Sequence, residues 1–250
     1  MSVRSIYLQL VGLLIIQAAN AQHQNVRFTH LTTNQGLSQN NVTCILEDRR
    51  GFMWFGTQDG LNKYDGYTYT IYRNDPQKNT SLSHSYIHTL FEDKQGRLWI
   101  GTDDGGLSLF NPNTESFTNY THLPGVKNSL SHNKVMAIAQ DAKGFLWVGT
   151  AGGGLDQFNP EKQSFTHFSH QTTDSTSLSH NIVSSICIDR LGSVWVGTLG
   201  GGLNRLDQAT KTFRHYRYKP ADKNSLSNDN INTCFEDAQG RLWIGTEGAA

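Results

Sequence analysis

The sequence predicts an all-β fold, an incomplete β-propeller of about five four-stranded antiparallel blades arranged radially, and three observations lead to this prediction. A tryptophan recurs at intervals of 45, 48, 48 and 48 residues, at Trp54, Trp99, Trp147, Trp195 and Trp243. A Leu-Ser pair, a glycine three residues before each tryptophan and a Gly-Thr pair two residues after it recur in the same phase. Each complete copy divides into four short runs separated by turn residues, which is typical of a propeller blade.

The third copy shows how one repeat divides into strands. Residues 135–139 form a mostly apolar run, and the turn that follows contains Gly144, because glycine readily adopts a positive φ. The second strand is expected at 145–150, where a glycine run ends it, and the third at 155–158. Residues 164–168 alternate polar and aromatic side chains, as expected of an outer strand.

The five tryptophans are interpreted as structural core residues. Both faces of the second strand are apolar, which fits a blade that lies between two neighbours. A buried tryptophan of this kind is expected to contribute roughly 3–5 kcal/mol relative to alanine. A role in stacking on sugars is the less favoured interpretation, because every copy has the tryptophan whatever its loops contain.

Residues 1–21 are predicted to be a signal peptide rather than part of the fold. Arg4 supplies the positive charge at the start, and residues 6–16 are mostly apolar but too few to span a membrane comfortably. Residues 19–21 read Ala-Asn-Ala, which is an A-x-A cleavage site. We therefore expect an exported chain that is cleaved after Ala21.

The mature part of the chain, residues 22–250, is predicted to be a partial β-propeller. Its copies are expected at about 32–72, 73–120, 121–168, 169–216 and 217–250, the last of them truncated. Residues 26–31 resemble a fourth strand and are expected to form the outer strand of the closing blade. Because the fifth copy stops after its second strand, closure at that point would leave the outer strand unpaired. We therefore expect a fragment of a longer propeller protein.

Composition excludes several classes of partner. Lys and Arg together number 21, as do Asp and Glu, and neither a basic stripe nor an acidic tail is present. The sequence therefore predicts no nucleic-acid partner and no anionic membrane surface as a partner. Three cysteines at different offsets in three copies are interpreted as small core residues, not as a disulfide framework.

The repeat resembles the two-component regulator propeller repeat. The residues that carry the resemblance are Asn-Ser-Leu-Ser-His-Asn at 128–133, Ile-x-x-Asp-x-x-Gly-x-x-Trp-Val-Gly-Thr at 138–150 and 186–198, and Gly-Gly-Gly-Leu-x-x-Phe-Asn-Pro at 152–160. The resemblance implies the periplasmic sensor region of a hybrid two-component histidine kinase, often one that senses oligosaccharides. It also implies further blades and downstream signalling domains as partners within a parent chain, including a kinase beyond residue 250.

Candidate ligand-binding residues lie in two sets of turns, which alternate in an antiparallel meander and therefore share one face. One set is the turns between copies and the other is the turns between second and third strands. The candidates are His84, His132, His180, Asp59, Asp103 and Asp104. The more conservative interpretation is that such polar residues only cap local backbone groups. A zinc site is disfavoured because the histidines lie on separate blades. No catalytic residue, metal or cofactor is predicted.

Three functions are compatible with the sequence. The leading hypothesis is an extracytoplasmic ligand-sensing module of a signalling receptor. The second is a protein-interaction scaffold, which is a general use of propellers. The least favoured is an exported lyase or glycosidase, which requires an acid/base pair that one copy has and the others lack. The acidic pairs Glu47/Asp48, Glu92/Asp93 and Glu236/Asp237 recur in phase and are interpreted as structural.

Overall fold

The computed structural model describes residues 27–248, which form five antiparallel sheets and one short 3₁₀ helix at Thr33–Gln35. Blade 1 contains β1 (Val42–Glu47), β2 (Met53–Thr57), β3 (Gly60–Tyr64) and β4 (Tyr69–Tyr72). Blade 2 contains β5 (Ile87–Glu92), β6 (Leu98–Thr102), β7 (Leu107–Asn111) and β8 (Ser116–Tyr120). Blade 3 contains β9 (Val135–Gln140), β10 (Leu146–Thr150), β11 (Leu155–Asn159) and β12 (Ser164–Phe168). Blade 4 contains β13 (Val183–Ile188), β14 (Val194–Thr198), β15 (Gly202–Asp207) and β16 (Thr212–Tyr216), and blade 5 contains β17 (Ile231–Glu236) and β18 (Leu242–Thr246).

The sheets confirm the predicted all-β class. Each complete blade is a simple meander in which strands pair in chain order, and strand bounds in blade 3 agree with the predicted ones to within one residue. The first strands of neighbouring blades lie side by side. Thr43 in β1, for example, donates its hydroxyl to the carbonyl of Ile87 in β5 at 2.6 Å. The first strand is therefore the inner strand of each blade, and the fourth is the outer one.

A carboxylate explains the Asp-x-x-Gly-x-x-Trp pattern in every copy. In blade 3, Asp141 accepts the indole N–H of Trp147 at 3.1 Å and the backbone N–H groups of Lys143 and Phe145 at 2.9 and 3.0 Å. Gly144 closes this turn with φ of 86°. The four equivalent bonds are Trp54 to Asp48, Trp99 to Asp93, Trp195 to Asp189 and Trp243 to Asp237. The second acidic residue of each predicted pair is thus a structural group that ties the turn to the core.

The tryptophans of blades 1, 2 and 3 pack against the following blade. Trp54 meets Phe110 of blade 2 edge-on at 5.2 Å, and Trp99 meets Phe158 of blade 3 at 5.8 Å. Trp147 belongs to a buried cluster that includes Leu206 and Phe213 of blade 4. Trp54, Trp99 and Trp147 are fully buried. Most of the hydrophobic core therefore lies between blades, where it removes large aromatic surfaces from water.

The interpretation of all five tryptophans as buried core residues is wrong for Trp243 and holds only in part for Trp195. Trp195 is only half-buried, and Trp243 is 56% exposed. The physical reason is the same in both cases. Trp195 would be covered by the third and fourth strands of blade 5, and Trp243 by a blade after it. None of these elements is among the described residues.

In blades 1 to 4, the glycine of the Gly-Thr pair permits close approach of the next blade. A Cβ atom on Gly149 would lie 2.5 Å from Cγ1 of Val183 in blade 4, well inside contact distance. The threonine that follows it works within the blade. Thr150 donates its hydroxyl to the carbonyl of Gly154 at 3.0 Å and shares a hydrogen bond with Ser131 of the Leu-Ser pair. The two recurring dipeptides therefore meet in space.

Two predictions concern the start of the chain. Residues 27–31 form no strand, and Phe28 is exposed, so the expected outer strand at 26–31 is not seen. The described part of blade 5 has only two strands and offers no third strand for such a strand to pair with. Residue 26 itself, and the predicted signal peptide at 1–21 with its cleavage site after Ala21, lie outside the described residues.

Candidate functional site

The loops of neighbouring blades are joined on one face by backbone hydrogen bonds. Each turn between second and third strands donates to the segment that leads into the next blade. Gly60 donates to the carbonyl of Ser85 at 2.7 Å, and Gly106 donates to the carbonyl of Asn133 at 2.8 Å. The two sets of turns singled out in the sequence therefore lie together, and adjacent blades are fixed to one another at this face.

The innermost residues of these loops form what we term the inner loop ring. It contains the residue four positions after each tryptophan and the residue thirteen positions before it. The first type donates its N–H to the second type within a blade, as Asp103 does to Tyr86 at 3.0 Å. It also lies next to the second type in the following blade, as the bridge between Ala151 and Ile182 shows. In chain order the ring is Asn41, Gln58, Tyr86, Asp103, Lys134, Ala151, Ile182, Leu199, Asn230 and Glu247.

In chain order, the side chains of the inner loop ring form a polar part, an apolar part and a second polar part. The part contributed by blades 1 and 2 and the start of blade 3 is polar and charged. The part contributed by the end of blade 3 and by blade 4 is apolar, with Ala151, Ile182 and Leu199. Blade 5 is polar again, and there Asn230 donates to Glu247 at 3.1 Å. Because the backbone arrangement repeats while the side chains differ, the ring is a rigid frame whose chemistry varies around its circumference.

A cluster of polar side chains centres on Asp103 in the first polar part, and we refer to it as the Asp103 cluster. Oδ1 of Asp103 lies 2.7 Å from Nε2 of His88 and 2.6 Å from Nζ of Lys134. The imidazole of His88 packs against the Tyr86 ring, with centroids 4.7 Å apart and planes tilted by 30°, and Gln58 donates its amide to the Tyr86 hydroxyl at 3.2 Å. These five residues come from blades 1, 2 and 3, so the cluster bridges three blades.

Electrostatics keep the carboxylate of Asp103 ionised. Hydrogen bonds from Lys134 and from His88 lower its pKa below the usual value for an aspartate. Burial opposes this effect only in part, since 31% of the Asp103 side chain is exposed. The cluster therefore presents a charged carboxylate, a cation, an imidazole and a phenol to solvent. Such a mixture of donors, acceptors and an aromatic face can hydrogen-bond a polyhydroxylated or otherwise polar solute.

The three predicted histidines occupy one equivalent position, where each caps its own turn. Nδ1 of His84 accepts the backbone N–H of Tyr86 at 3.1 Å, and His132 and His180 accept from Lys134 and Ile182 at 3.0 and 3.1 Å. Each histidine thus lies two residues before a ring residue and fixes its backbone. They lie on different blades, and no group of three or more metal-binding side chains occurs among residues 27–248.

The three predicted aspartates have different surroundings. Asp103 is the centre of the cluster just described. Asp59 lies on the same set of turns but forms an ion pair with Arg73 of its own blade at 2.9 Å, outside the ring. Asp104, next to Asp103, is exposed.

Sequence reasoning singled out only Asp103 of this cluster and missed the other four members, Gln58, Tyr86, His88 and Lys134. His88 lies eleven residues before Trp99, where the other copies have Thr43, Met136, Ser184 and Asn232. In blades 1 and 4 the hydroxyl at this position bonds the backbone of the next blade instead. A comparison of the five copies position by position on the inner strand would have singled out this histidine.

The comparisons with known proteins agree with this architecture. Residues 36–59, 81–104, 129–152, 177–200 and 225–248 match the family described as two component regulator propeller. A curated relative, histidine kinase P4 of Formosa agariphila, is 51% identical over 61 residues, which is 24% of this chain and 4% of the relative.

Two similar solved structures from B. thetaiotaomicron are each described as the extracellular domain of a hybrid two component system. That of BT3049 has a TM-score of 0.77 at 28% identity and covers 87% of this chain and 29% of its own. That of BT4673 has a TM-score of 0.70 at 27% identity and covers 87% of this chain and 30% of its own. The chain thus spans less than a third of each of these proteins.

Within residues 27–248, no helix has the length and apolarity needed to cross a membrane.

The matched segments recur in phase with the five tryptophans, and the Asp, Gly, Trp and Gly-Thr residues within them hold the blades together as described above. The chain therefore belongs to the two component regulator propeller family and contains five of its repeats.

Proposed function

We propose that this chain is the extracytoplasmic ligand-sensing propeller of a two-component signalling receptor, and that the inner loop ring binds the ligand. The observation that supports this most is the Asp103 cluster, in which side chains from three blades converge on one carboxylate. The predicted export of the chain and the extracellular domains described for similar structures agree with this location.

The geometry suggests how binding would be transmitted. A solute that exchanged hydrogen bonds with Asp103, His88 and Lys134 would contact two blades at once. Binding would therefore change the relative positions of blades, or restrict their motion, rather than reorder a single loop. A ligand can shift a conformational equilibrium only by its difference in affinity for the two states, and a contact between blades provides such a difference.

We propose an oligosaccharide as the ligand. Carboxylate, amide and imidazole groups hydrogen-bond sugar hydroxyls, and Tyr86 provides an aromatic face against which a ring can pack. In the full-length protein, the propeller would pass the signal to a histidine kinase beyond residue 250, as the name of the Formosa agariphila relative suggests.

Calorimetry and thermal shift measurements against a panel of neutral and uronic-acid oligosaccharides test this proposal. The wild-type chain is expected to bind at least one of them. Asp103→Asn removes the charge that Lys134 and His88 share and is expected to weaken binding at least tenfold. Asp59→Asn is the matched control, because Asp59 lies on the same face but pairs with Arg73 outside the ring. Failure of every sugar to bind, or equal loss in both variants, would contradict the proposal.

One observation favours a second function, an exported lyase or glycosidase. His88 and Asp103 form an acid/base pair at 2.7 Å, and no other blade has a histidine at the equivalent position. Product analysis after incubation with the same oligosaccharides separates the two functions. Cleavage that is lost in His88→Gln would favour the enzyme, whereas binding without cleavage favours the sensor. A pull-down in which the chain retains a protein but no sugar would favour the third function, a protein-interaction scaffold.

A further inference from the structure

Two of the three cysteines lie in the inner strands of neighbouring blades. Cys187 is in β13 of blade 4, and Cys234 is in β17 of blade 5. Cys187 pairs with Trp195 across its sheet, whereas Cys234 pairs with Ile244. The two cysteines differ by one residue in their offset from the tryptophan of their blade. Because successive side chains of a strand point to opposite faces, they lie on opposite faces of their strands.

The repeat register shows that these two faces meet. On each inner strand, the residue that pairs with the tryptophan, eight positions before it in the chain, lies on the face turned to the next blade. The residue nine positions before the tryptophan lies on the opposite face, which is turned to the previous blade. In the core between blades 2 and 3, these positions are occupied by Phe91 and Ile138, which pack around Trp99. In the core between blades 1 and 2, they are occupied by Leu46 and Leu90. Cys187 and Cys234 take the places of these apolar pairs between blades 4 and 5.

The two thiols face each other in this core, where the inner strands β13 and β17 lie side by side. Interaction with the Cys234 thiol lowers the pKa of the Cys187 thiol. Both cysteines are free and neither is fully buried. The thiolate is the reactive form of cysteine, so Cys187 is the better nucleophile of the two at neutral pH.

We propose that Cys187 and Cys234 form a disulfide that joins blades 4 and 5 when the chain meets a disulfide oxidant, such as the disulfide form of a thiol-oxidising protein in an extracytoplasmic compartment. The bond would close a loop of 48 residues, from 187 to 234. This inference is independent of the ligand and of the Asp103 cluster. It replaces the interpretation of these cysteines as inert core residues.

The reaction is an ordinary thiol–disulfide exchange. The Cys187 thiolate attacks one sulfur of the oxidant's disulfide, and the other sulfur of the oxidant leaves as a thiolate that takes up a proton. Cys234, after losing its proton to solvent, attacks Sγ of Cys187 in the mixed disulfide and releases the second oxidant thiol. The chain loses two electrons and two protons, and the oxidant is reduced to a dithiol.

Cys44 provides an internal control. It lies in β1 beside Gly56, where a Cβ atom would be 2.5 Å from its sulfur, and burial raises the pKa of its thiol to about 11. Among the described residues it has no cysteine in the adjoining inner strand of blade 2, where Leu90 and Phe91 lie. It should therefore remain a thiol under conditions that oxidise the other two.

The test uses the 250-residue chain exported to an oxidising compartment, or purified and exposed to oxidised glutathione. Alkylation with a maleimide in denaturant, without reductant, should label one cysteine, Cys44, and a non-reducing digest should contain a peptide with the 187–234 bond. The Cys44→Ser variant should then have no free thiol, and reductant should lower its melting temperature by at least about 5 °C. Neither Cys187→Ser nor Cys234→Ser should show a melting temperature that depends on reductant.

Three labelled cysteines after treatment with the oxidant would overturn the proposal, as would a bond that includes Cys44. Circular dichroism of each variant establishes that it is folded before the thiols are counted. If the Cys187→Ser and Cys234→Ser variants do not fold, the thiol count and the digest of Cys44→Ser decide the question alone.

Discussion

Blades 3 and 5 contain the same turn, with the same hydrogen bonds, in two different surroundings. In both, an aspartate accepts the indole N–H, from Trp147 at 3.1 Å and from Trp243 at 2.8 Å. Trp147 is fully buried beneath blade 4, whereas Trp243 is 56% exposed. The difference shows that the local motif orients the tryptophan within its own hairpin, while burial is supplied by the blade that follows.

The largest expected effect separates these two tryptophans. Trp147→Ala should lower the free energy of unfolding by roughly 3–5 kcal/mol, because it leaves a cavity in the core between blades 3 and 4. Trp243→Ala, the matched control, should cost about 1 kcal/mol, because its indole is already more than half in solvent. Urea denaturation followed by circular dichroism measures both. Equal losses would mean that the hairpin motif, and not the neighbouring blade, provides the stability.

The aspartates should differ in the same direction. Asp141→Ala removes the acceptor of three N–H groups, two of the backbone and one of the buried indole, and should cost roughly 2–4 kcal/mol. Asp237→Ala removes the three equivalent contacts and an exposed ion pair with Arg241, but water can replace all of them, so its loss should be smaller. The same denaturation experiment applies, and the comparison fails if Asp237→Ala proves the more damaging change.

The smallest expected effect depends on pH and compares blades 3 and 4. Nδ1 of His167 lies 2.7 Å from the buried carboxylate of Asp156, and this hydrogen bond raises the pKa of His167 above its usual value. Its stabilising contribution is therefore complete below the unfolded-state pKa and is lost as the pH rises through the folded-state pKa. His167→Gln should cost roughly 1–2 kcal/mol at pH 6 and less at pH 9.

The matched control for this prediction is His215→Gln in blade 4. His215 pairs across the strands with Asn204, which has no charge, where His167 pairs with Asp156. His215→Gln therefore removes an imidazole that has no carboxylate opposite it, and the pH dependence measured for His167→Gln is compared with this variant. Unfolding free energies at pH 6 and pH 9 measure both variants, and a pH-independent cost for His167→Gln would show that its bond to Asp156 does not depend on the histidine charge.

The sequence predicted the blades well because their determinants are local and repeated. Trp147, Gly144 and Asp141 lie within seven residues of one another, and their spacing alone fixes the hairpin. The exposure of Trp243 could not be predicted from this spacing, because it depends on a neighbouring surface and not on the residue itself. The Asp103 cluster was predicted only in part for a related reason. Asp103 lies in one of the turns between second and third strands, which the sequence indicated as candidates for ligand binding. His88 lies on an inner strand and Lys134 lies in the next blade, and neither position was a candidate.

Trp54, Trp99 and Trp147 each pack on the blade that follows in the chain, so the blades depend on one another in one direction. A single blade cannot bury its own tryptophan. The apolar face that carries the tryptophan is covered only by the next blade in the chain. During synthesis from the N-terminus, the tryptophans of the leading blades would be buried one after another, while that of the newest blade remains exposed to water. The apolar face of the most recently formed blade would stay exposed until the next repeat is synthesised, and that repeat would be the segment best placed to cover it.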